Sequence, residues 1–199
     1  MVEDALECRL ESNGEILDED QMLVSAARQD TEAAARLFDK YYSEILGYIY
    51  RCTFDGTVAE DLTSNVFLAV FGNLGRYRWR QVPFRAWLYR IATNELRMHW
   101  RRQKRSKAVS LQTDDDEYST GQSASDSLEA AEEYRLLHKA LLELRMKYRT
   151  VIILRYFEDK AIAEICEITG RKEGTVKSQL HRGLTRLQDI LVLRGVLPE

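Results

Sequence analysis

Apolar residues recur at three- and four-residue spacings along most of this chain, and this period constrains the fold more than any other feature. It is clearest after Thr31, where two adjacent rows comprise Leu37, Phe38, Tyr41, Tyr42, Ile45, Leu46 and Ile49. Such spacing places apolar side chains on one face of an α-helix, whereas a half-buried strand requires alternation. The period returns in segments beginning near Thr57, Phe84, Leu136, Ile162 and Val176. The sequence therefore predicts an all-α protein.

Local signals indicate where the helices begin. Thr57 and Glu60 form a capping-box pattern, which predicts a helix start at Thr57. Pro83 suits the start of the next helix. A short helix is expected around Asp20–Arg28. The apolar run Val151–Leu154 would also suit a strand, but its helical neighbours favour a helix.

Charge is distributed unevenly although the net charge is only −3. Residues 76–107 hold eleven Lys and Arg and one acid, interleaved with Tyr, Trp and Phe, whereas residues 1–32 hold ten acids and two Arg. A cation cluster indicates a polyanion partner, and aromatic rings within it can stack on unpaired bases. The alternative is a solvated amphipathic helix with aromatic residues in a core. We favour that alternative for Trp87 and Leu88, and nucleic-acid contact for Arg76–Arg80.

Two polar stripes on predicted helices also favour nucleic-acid binding. The helix after Pro83 carries an outward row of Arg90, Asn94, Arg97 and Arg101. Nearer the C-terminus, a short helix, a turn containing Gly170 and a longer helix follow the helix-turn-helix pattern. The outer face of the longer helix presents Thr175, Ser178, Gln179, Arg182 and Arg186. Gln and Arg suit adenine and guanine edges in the major groove, although an ordinary helical hairpin with a charged face fits the same pattern.

Composition divides the chain into five parts. We predict an acidic N-terminal tail at 1–19, a helical domain at 20–105, a flexible acidic linker at 106–127, a second helical domain at 128–193 and a C-terminal tail at 194–199. As a flexible coil, the linker would hold its ends roughly 25 Å apart. Two small domains could thus engage separate sites on one partner.

Several classes of protein are disfavoured. Three scattered Cys without a CxxC pair, and three scattered His, predict neither a disulfide framework nor a metal site, and no cofactor is expected. The sequence shows no nucleophile–base pair and no Gly-rich loop that could hold phosphates. It therefore does not indicate an enzyme, and no catalytic residue is predicted. No apolar run approaches membrane-spanning length, and the acidic start is unlike a signal peptide, so we expect a cytoplasmic protein without membrane contact.

Three strings together resemble one family, the extracytoplasmic-function (group 4) RNA polymerase sigma factors of the sigma-70 family. They are EDLTSNVFLAVF, PFRAWLYRIATNELRMHWRRQKR and LRYFEDKAIAEICEITGRKEGTVKSQLHRGLTRLQDIL, and the likeness covers residues 20–193. It implies that the first domain is sigma region 2 and the second is sigma region 4. It also implies a non-enzymatic protein that binds core RNA polymerase, directs initiation at promoters with −35 and −10 elements, and nucleates DNA melting.

The resemblance also implies partners and binding residues. Contacts to the −10 element, including its unpaired strand, fall on Arg76, Tyr77, Arg78, Trp79, Arg80, Arg90, Asn94, Arg97 and Arg101. Contacts to double-stranded −35 DNA fall on Arg171, Lys172, Thr175, Lys177, Ser178, Gln179, His181, Arg182 and Arg186. Contacts to the β′ clamp coiled coil of core polymerase fall on Glu60, Asp61, Leu62, Asn65 and Phe67. Region 4 is expected on the β flap, the linker in the RNA channel, and an anti-sigma factor as a further partner.

The chain departs from the family pattern at several positions. Ser64-Asn65 stands where the family usually has Gln-Glu, and Arg145-Met146 stands where it has Pro-Glu. Ala161 replaces the usual Ser or Thr helix cap, which leaves Asp159 as a possible substitute cap. Gln179 replaces a common Arg, which points to a different −35 sequence.

Other hypotheses make different predictions. A stand-alone helix-turn-helix transcriptional regulator would protect an operator without core polymerase. A helical protein-binding module would show salt-insensitive behaviour towards DNA. An enzyme or RNA-processing factor would have to use the basic stretch without any recognisable catalytic group.

Overall fold

The computed structural model describes residues 19–78, 83–109 and 128–196. Within these ranges the helices are α1 (residues 19–26), α2 (Thr31–Thr53), α3 (Gly56–Asn73), α4 (Phe84–Val109), α5 (Leu128–Glu143), α6 (Met146–Tyr156), α7 (Ile162–Thr169) and α8 (Glu173–Leu193). No described residue lies in a strand, so the all-α prediction is confirmed. The ambiguous run Val151–Leu154 is part of α6, and all four of its residues are buried.

Helices α1–α4 form the N-terminal domain around the apolar rows of α2. Leu37, Tyr41, Ile45 and Ile49 are each no more than 4% exposed. They pack with buried residues of the other helices, among them Val24, Val66, Val70, Phe84, Leu88 and Leu96. One of the two predicted rows is therefore buried, and the adjacent row of Phe38, Tyr42 and Leu46 is partly buried against the same core.

Acidic side chains cap α2 and α3. Asp30 accepts a hydrogen bond from the Glu32 N–H at 2.9 Å, and Asp55 accepts one from the Val58 N–H at 3.0 Å. The predicted start at Thr57 is therefore wrong, because Asp55 already satisfies an N–H of the first turn and α3 begins at Gly56.

Helices α5–α8 form the C-terminal domain, in which α7, a turn and α8 make the helix-turn-helix. Gly170 ends α7 with φ +67°, a left-handed conformation that suits glycine. Asp159 does not cap α7 as suggested. Instead Glu164 accepts a hydrogen bond from the Ala161 N–H at 2.8 Å. Gly183 lets α8 approach α6 closely, because a Cβ there would lie 2.9 Å from Ile152 Cδ1.

Some predicted boundaries lie outside the described residues. The predicted N-terminal tail does so almost entirely, at 1–18, as does most of the linker, at 110–127, and half of the C-terminal tail, at 197–199. Helix α4 continues to Val109, past the predicted domain end at residue 105. No helix within the described ranges has the length and apolar character needed to cross a bilayer.

The two domains contact each other along a surface that we call the domain seam, where α4 meets α7 and α2 meets α5 and α6. Arg51 of α2 forms an ion pair with Glu158, with the Arg51 Nη1 to Glu158 Oε1 distance at 2.9 Å. Arg149 of α6 donates to the Cys52 carbonyl, also at 2.9 Å. The sequence predicts two tethered domains, and nothing in it indicates this contact between them.

Candidate nucleic-acid and polymerase-binding surfaces

Helix α4 presents a cationic stripe on the side opposite its buried face. Leu88, Ala92 and Leu96 are fully buried, whereas Arg90, Asn94 and Arg101 are exposed. The stripe follows from helical spacing, because positions at offsets 0, 4 and 11 share a face. The structure thus brings these predicted −10 residues together on one accessible surface.

Arg97, the remaining member of the stripe, is half-buried. Its guanidinium donates to Asn94 Oδ1 at 3.3 Å and to the Thr169 carbonyl of the C-terminal domain at 3.2 Å. Burial lowers the pKa of Arg97, and the neighbouring Arg101 and Arg90 charges lower it further. The charge of Arg97 is thus crowded by like charges, and an anion would relieve that repulsion.

The predicted −10 loop is described only in part. Arg76 and Arg78 are exposed, whereas Trp79 and Arg80 lie outside the described residues. Tyr77 is 6% exposed, and its ring centroid lies 4.8 Å from that of Trp87. Burial raises the pKa of Tyr77 to about 12. The structure therefore places the Tyr77 ring in the core, while the sequence-based prediction had it stacking on a base.

Helix α8 exposes most of the residues predicted to contact the −35 element. Its inner face buries Val176, Leu180 and Leu187. The exposed outer side carries Lys172, Thr175, Lys177, Ser178, His181, Arg182 and Arg186. This is the arrangement a recognition helix needs, with one face fixed in the domain and the other open to a groove.

Two polar contacts restrict individual side chains on this surface. Arg171 donates to Gln179 Oε1 at 2.6 Å, which fixes the orientation of the glutamine amide. Lys177 pairs with Glu173 at 2.6 Å, and this contact lowers the pKa of Glu173. Arg182 is exposed and takes part in neither contact.

Helix α3 presents the predicted polymerase-binding face. Glu60, Asp61 and Asn65 are exposed, as predicted for a contact surface. Leu62 and Phe67 are only 5% and 3% exposed, so their side chains pack in the core. These two residues position the helix rather than offer a surface.

Two apolar residues of α3 that were not among the five predicted contact residues are also exposed. Leu68 is 71% exposed and Phe71 is 36% exposed. Leu68 follows Asp61 by seven residues, so helical spacing alone places both on one side of α3. Leu68 and Phe71 are three residues apart, so they lie next to each other on the helix and present apolar area on the same side as Asp61.

The domain seam also joins polar side chains of the two domains. Glu158 Oε2 accepts a hydrogen bond from the Tyr89 hydroxyl at 2.6 Å, in addition to pairing with Arg51. Lys160 lies over the Tyr89 ring at 4.5 Å. These contacts join the segment before α7 to α2 and α4, while the contact at Arg97 is made by Thr169 at the end of α7.

The described residues give no indication of a metal centre. Within them, His, Cys, Asp and Glu nowhere form a group of three or more that could hold a metal ion. Cys52 is buried, and burial raises its pKa to about 12, which keeps the thiol protonated.

Comparison with known proteins identifies relatives of both domains. The family description "Sigma-70 region 2" matches residues 37–106, and "Sigma-70, region 4" matches residues 134–187. The chain is 30% identical to the ECF RNA polymerase sigma factor SigW of Bacillus subtilis, over 80% of this chain and 89% of SigW. It is 32% identical to the ECF RNA polymerase sigma factor SigL of Mycobacterium tuberculosis, over 86% of this chain and 96% of SigL.

Solved structures share the fold. The sigma factor RpoE of Bartonella quintana, in complex with the anti-sigma factor NepR, superposes with a TM-score of 0.64 at 22% identity, over 79% of this chain and 95% of RpoE. CnrH, in complex with the cytosolic domain of CnrY, superposes with a TM-score of 0.65 at 20% identity, over 87% of this chain and 97% of CnrH.

Proposed function

This chain belongs to the extracytoplasmic-function RNA polymerase sigma factors of the sigma-70 family, and we propose that it contacts promoter DNA through the α4 stripe and the outer face of α8. As a sigma factor, it binds core RNA polymerase and directs transcription initiation at specific promoters. The family is not one of enzymes. The observation that supports our assignment best is the pair of separate exposed polar stripes, one in each matched region.

The α4 stripe is assigned to the −10 element. Arg90, Asn94 and Arg101 offer donors to phosphates or bases along one exposed face. Arg76 and Arg78, which are exposed, are assigned to the same element. Trp79 is assigned to stacking on an unpaired base from the sequence pattern alone. Tyr77 supports the loop from the core and would have to leave its packing to stack on a base.

The outer face of α8 is assigned to the −35 element. Arg182 is exposed at the centre of the stripe, where it can reach a guanine edge in the major groove. Gln179, oriented by Arg171, offers its amide N–H groups to an adjacent acceptor.

The exposed side of α3 is assigned to core polymerase. Asp61 and Asn65 supply polar contacts, and Leu68 supplies apolar area that becomes buried in the complex. Because Asn65 is uncharged, the contact at that position depends on amide hydrogen bonds rather than on an ion pair.

Melting requires the polymerase as well. Undoing one stacked base-pair step costs about 1.4 kcal/mol. One or two captured bases return about 1–3 kcal/mol each. That sum can start an opening of one or two steps but cannot hold a bubble of several base pairs. The isolated protein should therefore bind promoter DNA without melting it.

The deciding experiment is run-off transcription with purified core polymerase on a pool of promoters, with and without this protein. We expect discrete new start sites when the protein is present. A variant with Arg90, Asn94 and Arg101 replaced by Ala should still bind core polymerase but lose those start sites. Failure of the wild-type chain to bind core polymerase, or to produce any start site, would refute the proposal.

The alternative of a stand-alone regulator has a separate readout. Such a protein would protect a specific operator in the absence of polymerase, whereas each half-site surface here should bind weakly until both are tethered on the polymerase. The proposed place of action is the cytoplasm, with RNA polymerase. An anti-sigma factor is a further proposed partner.

A further inference from the structure

A cationic cleft lies between the two domains, bounded by α4, the start of α6 and the turn before α8. Its volume is about 400 Å³. Six cations line it: Arg97, Arg101, Lys104, Arg145, Lys147 and Arg171. Trp100, Met146 and Thr150 complete the described lining. Because both domains contribute residues, the cleft exists only while the domain seam is closed.

The charge of this cleft is not balanced by its own walls. None of the described residues that line it is an acid. The guanidinium of Arg97 donates to a neutral carbonyl and a neutral amide, and that of Arg171 donates to the neutral amide of Gln179. Burial lowers the pKa of Arg171, and the Arg97 charge lowers it further. Two half-buried cations from different domains thus repel each other across the cleft, and a multivalent anion would relieve that repulsion.

The start of α6 adds to the positive potential. Its N-cap residue, Arg145, makes no side-chain capping bond, and its first turn contains no acid. Arg145-Met146 stands where the family pattern has Pro-Glu, so an acid expected at the mouth of the cleft is absent from this chain. The positive end of the helix dipole therefore adds to the side-chain charges instead of being neutralised.

We propose that this cleft binds an oligophosphate, either an inorganic chain or the phosphate chain of a nucleotide, and that the bound anion holds the two domains closed. The volume falls within the range of small-ligand pockets. Arginine guanidinium groups match phosphate oxygens in pairs, and Lys147 and Lys104 add point charges. Trp100 offers an aromatic surface for a base if the ligand is a nucleotide.

The cleft overlaps the proposed promoter surfaces only in part. Trp100, Lys104, Arg145 and Lys147 belong to neither the −10 nor the −35 set. Arg97, Arg101 and Arg171 are shared, and in the closed arrangement all three line the cleft. A duplex that engages Arg97 must replace its contact with the Thr169 carbonyl, whereas a small anion can enter without breaking that contact. Oligophosphate and promoter DNA should therefore compete.

Titration of the full-length chain tests the site. The ligands are tripolyphosphate, ATP and sulfate at matched ionic strength, and their binding is measured by isothermal titration calorimetry. Lys147→Glu is the test variant because Lys147 is exposed and lines the cleft. Arg182→Glu is the matched control, because it reverses an exposed charge of the same domain outside the cleft. We expect one site for an oligophosphate, at least tenfold weaker binding in Lys147→Glu, and less than twofold change in Arg182→Glu.

The ligands distinguish the two sources. Tripolyphosphate binding as tightly as ATP would identify a free phosphate chain, and tenfold tighter ATP binding would identify a nucleotide. Failure of both to bind, an equal effect of the two variants, or equal binding of sulfate would overturn the proposal.

A functional readout separates this proposal from the sigma-factor assignment. Run-off transcription without oligophosphate should be unchanged in Lys147→Glu. Added tripolyphosphate should inhibit the wild type when it is incubated with the protein before core polymerase, and should inhibit Lys147→Glu much less. Equal inhibition of both would overturn the cleft assignment and leave the promoter-directing function untouched.

Discussion

Neutralising Glu158 should open the domain seam. The Glu158 side chain is only 7% exposed, and it accepts hydrogen bonds from Arg51 at 2.9 Å and from the Tyr89 hydroxyl at 2.6 Å. Glu158→Gln keeps the shape and one acceptor oxygen but removes the charge. Both bonds cross between domains, so their loss weakens the closed arrangement rather than either domain.

The free energy lost in Glu158→Gln depends on how exposed the hydrogen-bond partners of Glu158 are. A hydrogen bond to a charged group contributes about 1.5–3 kcal/mol. The Arg51 side chain is 32% exposed and can regain water, so the larger penalties of fully buried pairs do not apply. We expect a loss of about 2 kcal/mol, which shifts the equilibrium between closed and open forms roughly 30-fold.

Small-angle X-ray scattering of the full chain measures this shift as an increase in the radius of gyration. Glu167→Gln is the matched control, because Glu167 is an exposed acid of α7. A double-mutant cycle with Arg51→Gln should give a coupling energy of about 1 kcal/mol or more, as expected for contacting residues. An unchanged radius of gyration in Glu158→Gln, or strictly additive variants, would refute the reasoning.

Four further predictions concern other parts of the molecule. Burial, followed by a neighbouring arginine charge, lowers the pKa of His138 to about 4. The neutral form of His138 therefore stabilises the folded state. This contribution is complete above the unfolded pKa of about 6.5, and the free energy of unfolding falls by roughly 3 kcal/mol as the pH drops towards 4. In thermal unfolding, the stability of His138→Phe should fall less steeply than that of the wild type as the pH is lowered. Parallel stability profiles against pH for the two proteins would contradict this. Gly183→Val should destabilise the chain by about 1–3 kcal/mol in urea unfolding, because α6 leaves no room for the side chain; unchanged stability would contradict the close approach. Leu68→Asp should leave stability within about 0.5 kcal/mol but weaken core-polymerase binding at least tenfold, whereas Leu193→Asp, at a more exposed leucine, should not. Arg182→Ala should cost about 1–3 kcal/mol on promoter DNA and relax specificity at one −35 position, and an equal loss on random DNA would mean a contact to phosphate only.

Helical periodicity predicted the elements well because burial on one face of a helix leaves a direct trace in the sequence. The rows of α2 and most of the inner face of α8 were found in this way, although Leu184, which shares the apolar spacing of α8, is 37% exposed. Cap positions were less predictable, because several polar residues near a helix start compete for the same N–H groups. The N-cap of α3 is Asp55 and not the predicted Thr57, and Glu164 rather than Asp159 stabilises the start of α7.

Exposure of individual aromatic and apolar side chains was harder to predict than the stripes. Tyr77 lies among cations in the sequence, yet its ring packs against Trp87 and Phe84 because the chain turns back over the core. Leu68 looks like a core residue by composition, and only its seven-residue offset from Asp61 indicates the outward face. The domain seam could not be predicted from local sequence patterns, because contacts such as that of Arg149 with Cys52 join residues 97 positions apart.

The composition of the domain seam determines how readily the molecule can change shape. Arg149 donates to the carbonyls of Leu141, Leu142 and Leu144 within its own domain and to that of Cys52 in the other. Of these four carbonyls, three stay with Arg149 when the domains separate. Charged groups facing carbonyls exchange readily for water, as at transient interfaces between subunits. The two halves of this chain thus behave as binding partners that a tether keeps at high local concentration, so modest changes in salt or in competing ligands can decide whether they associate.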